Sequence, residues 1–141
     1  MALLEIKNLE VKFALRSGEV SALTDINFTL DRGQRLGIVG ESGAGKSVAG
    51  FSIINLISRP GYIANGQILF DGKDLAKLTS EQMRFIRGNL ISMIFQDPMM
   101  TLNPVLSIGE QMTESLFTHT KVSKEEARSI ALEKLRLVHI P

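Results

Sequence analysis

The 141-residue sequence contains no cysteine, which excludes disulfides, thiolate metal sites and iron–sulfur ligation and suits a reducing, intracellular compartment. It has no long apolar run. The most apolar stretches, Ile53–Ile57 and Leu90–Phe95, fall far short of the roughly 20 residues that span a bilayer. A charge at Glu5 interrupts the start before an apolar segment of signal-peptide length develops. There is no excess charge of either sign. A formal net charge of +1 supplies no field that would announce a nucleic acid or an anionic membrane as partner. Internal repeats and low-complexity segments are also missing, and the two histidines, His119 and His139, have no neighbour at metal-ligand spacing.

What is present has the balance of an ordinary soluble domain, with 44% apolar and 22% charged residues. Leu4, Ile6, Leu9 and Val11, then Leu23, Ile26, Phe28 and Leu30, largely alternate with polar residues, so Leu3–Phe13 and Val20–Leu30 are expected as half-buried strands joined by a turn at Arg16–Glu19. After a second turn at Asp31–Gly33, Arg35–Val39 is expected as a short apolar strand leading into a glycine-rich loop. A helix is expected from Lys46 to about Ile57, stopped by Ser58-Arg-Pro-Gly61. Gln67–Gly72 reads as a strand and turn, Thr79 with Gln82 as a capping box, and Asn89–Phe95 as a buried strand. Asp97-Pro98 and Asn103-Pro104 bracket a loop. Two helices follow, near Ser107–Phe117 and over Lys124–Leu137, the second opened by a Ser123/Glu126 capping box and striped by Ala127, Ile130, Ala131, Leu135 and Val138.

The chemistry is concentrated in Gly40-Glu41-Ser42-Gly43-Ala44-Gly45-Lys46-Ser47, which matches the P-loop pattern of two glycines, lysine and a hydroxyl residue at fixed spacing. Average composition produces such a match in a chain of this length on the order of once in two hundred. Glycines let successive backbone N–H groups point into one concavity, the helix N-terminus adds its positive end, and Lys46 brings a full charge to the β- and γ-phosphates. Ser47 would give its hydroxyl to Mg²⁺. The competing interpretation is a flexible glycine turn, and the loop by itself does not choose among kinases, GTPases, helicases and transport ATPases.

Further along, Ile94-Phe-Gln-Asp-Pro98 resembles the Q-loop of ABC ATPases, and Gln96-Asp-Pro-Met-Met-Thr-Leu-Asn-Pro104 resembles the oligopeptide, dipeptide and nickel importer subfamily. Val48, where many ABC ATPases carry threonine, agrees with that subfamily and can offer only its backbone N–H to the α-phosphate. The resemblance implies that Gln96 reaches Mg²⁺ and the attacking water, and that Phe13 stacks on adenine. An ordinary core phenylalanine at a strand end is the alternative for Phe13. Leu69-Phe-Asp71 mimics a Walker B motif, but the family pattern puts these residues in a hairpin, and Gly72 stands where the catalytic glutamate would be.

The fold expected from this resemblance is α/β, a P-loop NTPase core of the ABC type with an antiparallel β layer and the start of a helical subdomain. Residues 1–98 would form the core from P-loop to Q-loop, and 99–141 the beginning of the helical subdomain. The signature motif, Walker B carboxylates, D-loop and switch histidine do not occur, so the chain is expected to be truncated and inactive alone, with its parent an ATPase. The implied setting is cytoplasmic, peripheral on the inner face of the membrane. The implied partners are ATP, Mg²⁺, permease subunits reached through the Q-loop region and a second ATP-binding subunit, with no nucleic acid. Two alternatives stay open: a non-catalytic module that docks on a permease, and another P-loop enzyme, although no Asn-Lys-x-Asp guanine-reading motif is present.

Overall fold

The computed structural model describes residues 2–97 and 101–140. They form two compact units, Met1–Arg84 and Phe85–Pro141. The boundary expected at 98/99 falls on residues outside the described ones, as does Pro98 of the expected Asp97-Pro98 bracket.

The first unit is built on a four-stranded antiparallel sheet of order β2-β1-β3-β4, from β1 (Ala2–Leu15), β2 (Gly18–Asp31), β3 (Gly61–Phe70) and β4 (Lys73–Asp74). β1 and β2 are the two strands expected from alternation. The inward positions of β1 pass from Leu4 and Ile6 to Leu9 and Val11, a change of phase that a regular strand cannot accommodate. A bulge accommodates it: Asn8 has φ 48°, Asp25 on β2 has φ 50°, and the register shifts against both neighbouring strands. The Asn8 N–H donates to Asn27 Oδ1 (2.8 Å) and the Asn8 amide donates to Asp25 Oδ1 (2.8 Å). Hydrogen bonds from Asn8, then Asn27, hold the Asp25 carboxyl below its ordinary pKa.

β3 begins earlier than Gln67, because Gly61, Tyr62, Ile63 and Asn65 also pair with β1, although glycine and asparagine are poor strand formers. At its far end Asp71 (φ 49°) and Gly72 (φ 78°) make the two-residue turn into β4, with Phe70 paired to Lys73. This is the hairpin expected for Leu69–Asp71. The Asp74 side chain accepts from Ala76 N–H and caps a 3-10 turn at Leu75–Lys77. α2 (Ser80–Ile86) follows, opened by the Thr79/Gln82 box, in which the Thr79 N–H donates to Gln82 Oε1 and the Gln82 N–H to Thr79 Oγ1. Leu9, Val11, Ile68, Leu75 and Met83 are fully buried.

Three expectations are corrected. Arg35–Val39 is not a strand: it runs unpaired into Gly40, with Val39 96% exposed, because no described segment lies beside it to complete a ladder. Asn89–Phe95 is not a buried strand either. Only an isolated bridge joins Arg87 to Ile91, and Ile94 is 98% exposed. The helix after the glycine loop, α1, spans Lys46–Ile53 and stops short of Ile57, because Asn55 turns left-handed (φ 51°) and the Leu56 N–H reaches back to Phe51 O.

In the second unit, α3 (Ile108–His119) and α4 (Lys124–Leu137) pack against each other. Both open on capping boxes. Ser123/Glu126 is the expected one, and Ser107/Glu110 is its equivalent on α3. In the α4 stripe Ala127 and Ala131 are buried, and their small side chains allow close approach, whereas Val138 at the helix end is exposed.

Candidate functional site

The loop between β2 and α1 combines glycine-dependent backbone with an uncapped helix start. Gly43 (φ 82°) and Gly45 (φ 83°) both adopt left-handed geometry. At Gly45 the loop also presses on β2, since a Cβ there would lie 2.5 Å from Leu23 Cδ2 and 3.0 Å from the Ala22 carbonyl oxygen. Gly45 is the N-cap of α1 and offers no side-chain cap. The first helical hydrogen bond is Ala49 N–H to Gly45 O (2.9 Å), so the amides of Lys46, Ser47 and Val48 precede the ladder. No acidic residue occupies the first turn to neutralise them.

Lys46 folds back over the loop and its ammonium donates to Gly40 O (2.7 Å) and Glu41 O (2.6 Å). An ammonium has three donors, so one remains for an anion in the concavity. The Ala44 N–H to Glu41 O bond (3.2 Å) closes a turn under the same stretch, and a Cβ on Gly40 would sit 3.2 Å from Ala44 Cβ. Ser42 is exposed, as is the Ser47 side chain at the first helical turn, while Val48 is half-buried and contributes main chain only. Behind them the buried Ser52 hydroxyl donates to Val48 O (2.6 Å), which fixes the turn. The arrangement suits a polyphosphate: backbone N–H groups, a helix end and one full positive charge converge, and a hydroxyl stands at the rim.

Phe13 lies on β1 in the same unit, paired with Val20 on β2 and Gly61 on β3, and is half-buried. Gln96 lies in the second unit, exposed at a bend. Gly61 carried only a helix-stop signal in the sequence, yet a Cβ there would stand 2.8 Å from Phe13 Cε1. Among the described residues no cluster of three His, Cys, Asp or Glu could hold a metal, and no helix is long and apolar enough to cross a membrane.

Comparison with known proteins identifies family and fold. Residues 23–141 match the family model described as ABC transporter. The chain is 53% identical over 140 residues to the oligopeptide transport ATP-binding protein OppD of Bacillus subtilis, covering 99% of this chain and 39% of that protein. It is 48% identical to the dipeptide transport ATP-binding protein DppD of the same organism, over 98% of this chain and 42% of the relative. The chain thus spans about two fifths of the length of these relatives. Among solved structures, the dimeric structure of MJ0796, a bacterial ABC transporter cassette, superposes with a TM-score of 0.82 at 26% identity, covering 95% of this chain and 56% of that one. A post-hydrolysis state of the same cassette, bound to ADP and Pi, gives 0.79 at 25% identity over the same shares. The α/β fold is therefore that of an ABC cassette, present here in part.

Proposed function

The chain belongs to the ABC transporter family, and from that membership we propose that it is the nucleotide-holding part of a peptide importer's ATP-binding subunit, whose full length couples MgATP hydrolysis to uptake. The observation that carries this is the Lys46 ammonium, anchored by two loop carbonyls beside the three unbonded amides of the α1 start. The peptide assignment is supported by OppD and DppD, both named for peptide transport.

In this reading Gly40–Ser47 wraps the β- and γ-phosphates, the Ser47 and Val48 amides face the α- and β-phosphates, and Phe13 stacks on the base. Lys46 neutralises charge that spreads over the γ-phosphoryl oxygens as the terminal P–O bond loosens, which is most of what a protein contributes to this reaction. Mg²⁺ would be carried by the phosphates with the Ser47 hydroxyl as a protein ligand, a donor set that suits an ion content with one or two protein oxygens. It would neutralise the leaving phosphates. Gln96 would orient the attacking water. Residues from 99 onward would open the helical subdomain. The subunit would sit at the cytoplasmic face of the membrane on permease subunits contacted near Gln96, paired with a second ATP-binding subunit.

Isothermal titration of the chain with MgATP tests the central point. Wild type is expected to bind and Lys46→Ala to lose at least about tenfold in affinity, the effect of about 1.4 kcal/mol. Equal dissociation constants for the two proteins, or no binding by wild type, would overturn it.

A further inference from the structure

Phe13 and Gly61 stand opposite each other on β1 and β3, and a Cβ built on Gly61 would lie 2.8 Å from Phe13 Cε1, 3.0 Å from Phe13 Cζ and 2.6 Å from Ile57 Cγ2. No side-chain carbon fits there without displacing the ring or the Ile57 methyl. Gly61 has ordinary negative-side backbone geometry, in contrast to the left-handed glycines, so the turn does not require it. Its requirement is space.

The face of the sheet is set by alternation. Leu23 touches the Gly45 position of the phosphate loop, and Val11 is its cross-strand partner. The β1–β2 register shifts between Val11 and Lys12, but β1 pairs regularly with β3 from Val11 opposite Ile63 to Phe13 opposite Gly61, so two residues further along β1, about 7 Å at strand rise, Phe13 returns to the face of Val11. Ile57, just beyond α1, meets Gly61 there too. The one tyrosine, Tyr62, is next to Gly61 and paired with Lys12, so it projects to the opposite face, where its hydroxyl donates to Glu19 Oε1. Hence Phe13, unlike Tyr62, shares a face with the phosphate loop, while Phe28 and Phe70, paired with Ile6 and Leu4, lie toward the other end of β1, and Gly61 is the floor on which the Phe13 ring rests.

We propose that Gly61 is a positioning residue for nucleotide selectivity: by lacking a side chain it lets the Phe13 ring lie down on β3 at the height where it can stack on the base of a nucleotide whose phosphates occupy Gly40–Ser47. This rests on the base-stacking role given to Phe13 above. A Cβ at residue 61 tilts the ring away and removes the stacking surface while leaving the phosphate loop, more than one strand pair distant, as it was. Phosphate recognition and base recognition then separate.

The test is the affinity of the chain for ATP and for inorganic tripolyphosphate, measured for wild type, Gly61→Ala, Phe13→Leu and the double variant. Gly61→Ala is expected to lose about tenfold for ATP, the order of one base–aromatic stack, and to keep its tripolyphosphate affinity within about twofold. In the Phe13→Leu background Gly61→Ala should change neither ligand, because its effect passes through the ring. That pair of proteins, both carrying Ile57→Ala to remove the other close contact, at 2.6 Å, also decides the matter if Gly61→Ala alone does not fold. ATP affinity unchanged in Gly61→Ala, loss of both ligands alike, or a further loss of ATP in the leucine background would each overturn the proposal. A wild-type chain that binds tripolyphosphate as tightly as ATP removes the base-stacking role and this inference with it. One that binds neither removes the nucleotide function itself.

Discussion

Asn8 and Gly66 meet back to back across β1 and β3: both are left-handed, and a Cβ on Gly66 would stand 2.4 Å from the Asn8 carbonyl oxygen. The contact is with main chain, which cannot swing aside as a side chain does. Gly66→Ala is therefore expected to destabilise the first unit by about 1–3 kcal/mol, combining the left-handed cost with displacement of β1. Urea unfolding followed by circular dichroism measures it, and an unchanged midpoint would show that the bulge is not rigid. Ala at Gly18 or Gly33 is a fair comparison, since nothing lies within 4 Å of either Cβ position.

The same contrast separates two glycines of the phosphate loop. Gly43 and Gly45 have nearly equal φ, 82° and 83°, but Gly43 faces open space and Gly45 faces Leu23 and the Ala22 carbonyl. Gly43→Ala should cost about 1 kcal/mol and retain most ATP affinity. Gly45→Ala should abolish measurable binding, because the loop must lift off β2 and carries the α1 start with it. Adding Leu23→Ala should not rescue it, since the Ala22 oxygen and the left-handed φ remain. Titration of the three variants with ATP checks the order, and similar losses at 43 and 45 would contradict it.

Glu110 and Glu126 titrate below the ordinary glutamate range. At Glu110 the Ser107 hydroxyl is the larger cause and the Ser107 N–H the smaller, whereas at Glu126 the Ser123 N–H leads and its hydroxyl follows. A depressed folded pKa stabilises the folded form above the unfolded value of about 4.3, and that contribution is lost as pH falls from there through the lower folded pKa. Helicity of the second unit should decline over that acid window, and Glu110→Gln with Glu126→Gln should flatten the decline. Both groups are exposed, so the effect is small. An unaltered pH profile in the double variant would show that the boxes do not govern α3 and α4.

Where the sequence could be read, local chemistry was decisive. Capping boxes at Thr79 and Ser123, the Asp71-Gly72 turn and the alternation of β1 and β2 each need only a few neighbouring residues, and each appears in the structure. In Gly40–Ser47 the glycines marked a loop with left-handed turns and Lys46 the start of the helix after it, and both are present. Arg35–Val39 and Asn89–Phe95 have the composition of strands yet form none, for the opposite reason: an apolar run records a tendency to be buried, but a strand exists only when a second segment supplies its hydrogen bonds. The bulge was implicit in the three-residue step from Ile6 to Leu9, yet its partners Asp25 and Gly66 lie on other strands. Gly61 is the clearest loss, since only pairing reveals that Phe13 covers it.

Lys46 holds two roles that a charge-conserving change can separate. Its ammonium is a compact donor small enough to sit between the Gly40 and Glu41 oxygens at 2.7 and 2.6 Å with a third N–H left over. A guanidinium is planar and wider, and its fork matches a carboxylate or phosphate rather than two loop carbonyls on one side. If charge alone drew the phosphates, Lys46→Arg would bind ATP nearly as wild type does, and its affinity would fall with salt equally steeply. If the clasp on the loop is also required, Lys46→Arg should lose about tenfold yet keep a salt dependence that Lys46→Met, lacking the charge, has largely lost. Titration with ATP at low and high salt distinguishes these outcomes. We expect the second, because the amides of Lys46, Ser47 and Val48 converge only while the loop is pulled over them, and an arginine that binds as well as lysine would show that the clasp is incidental.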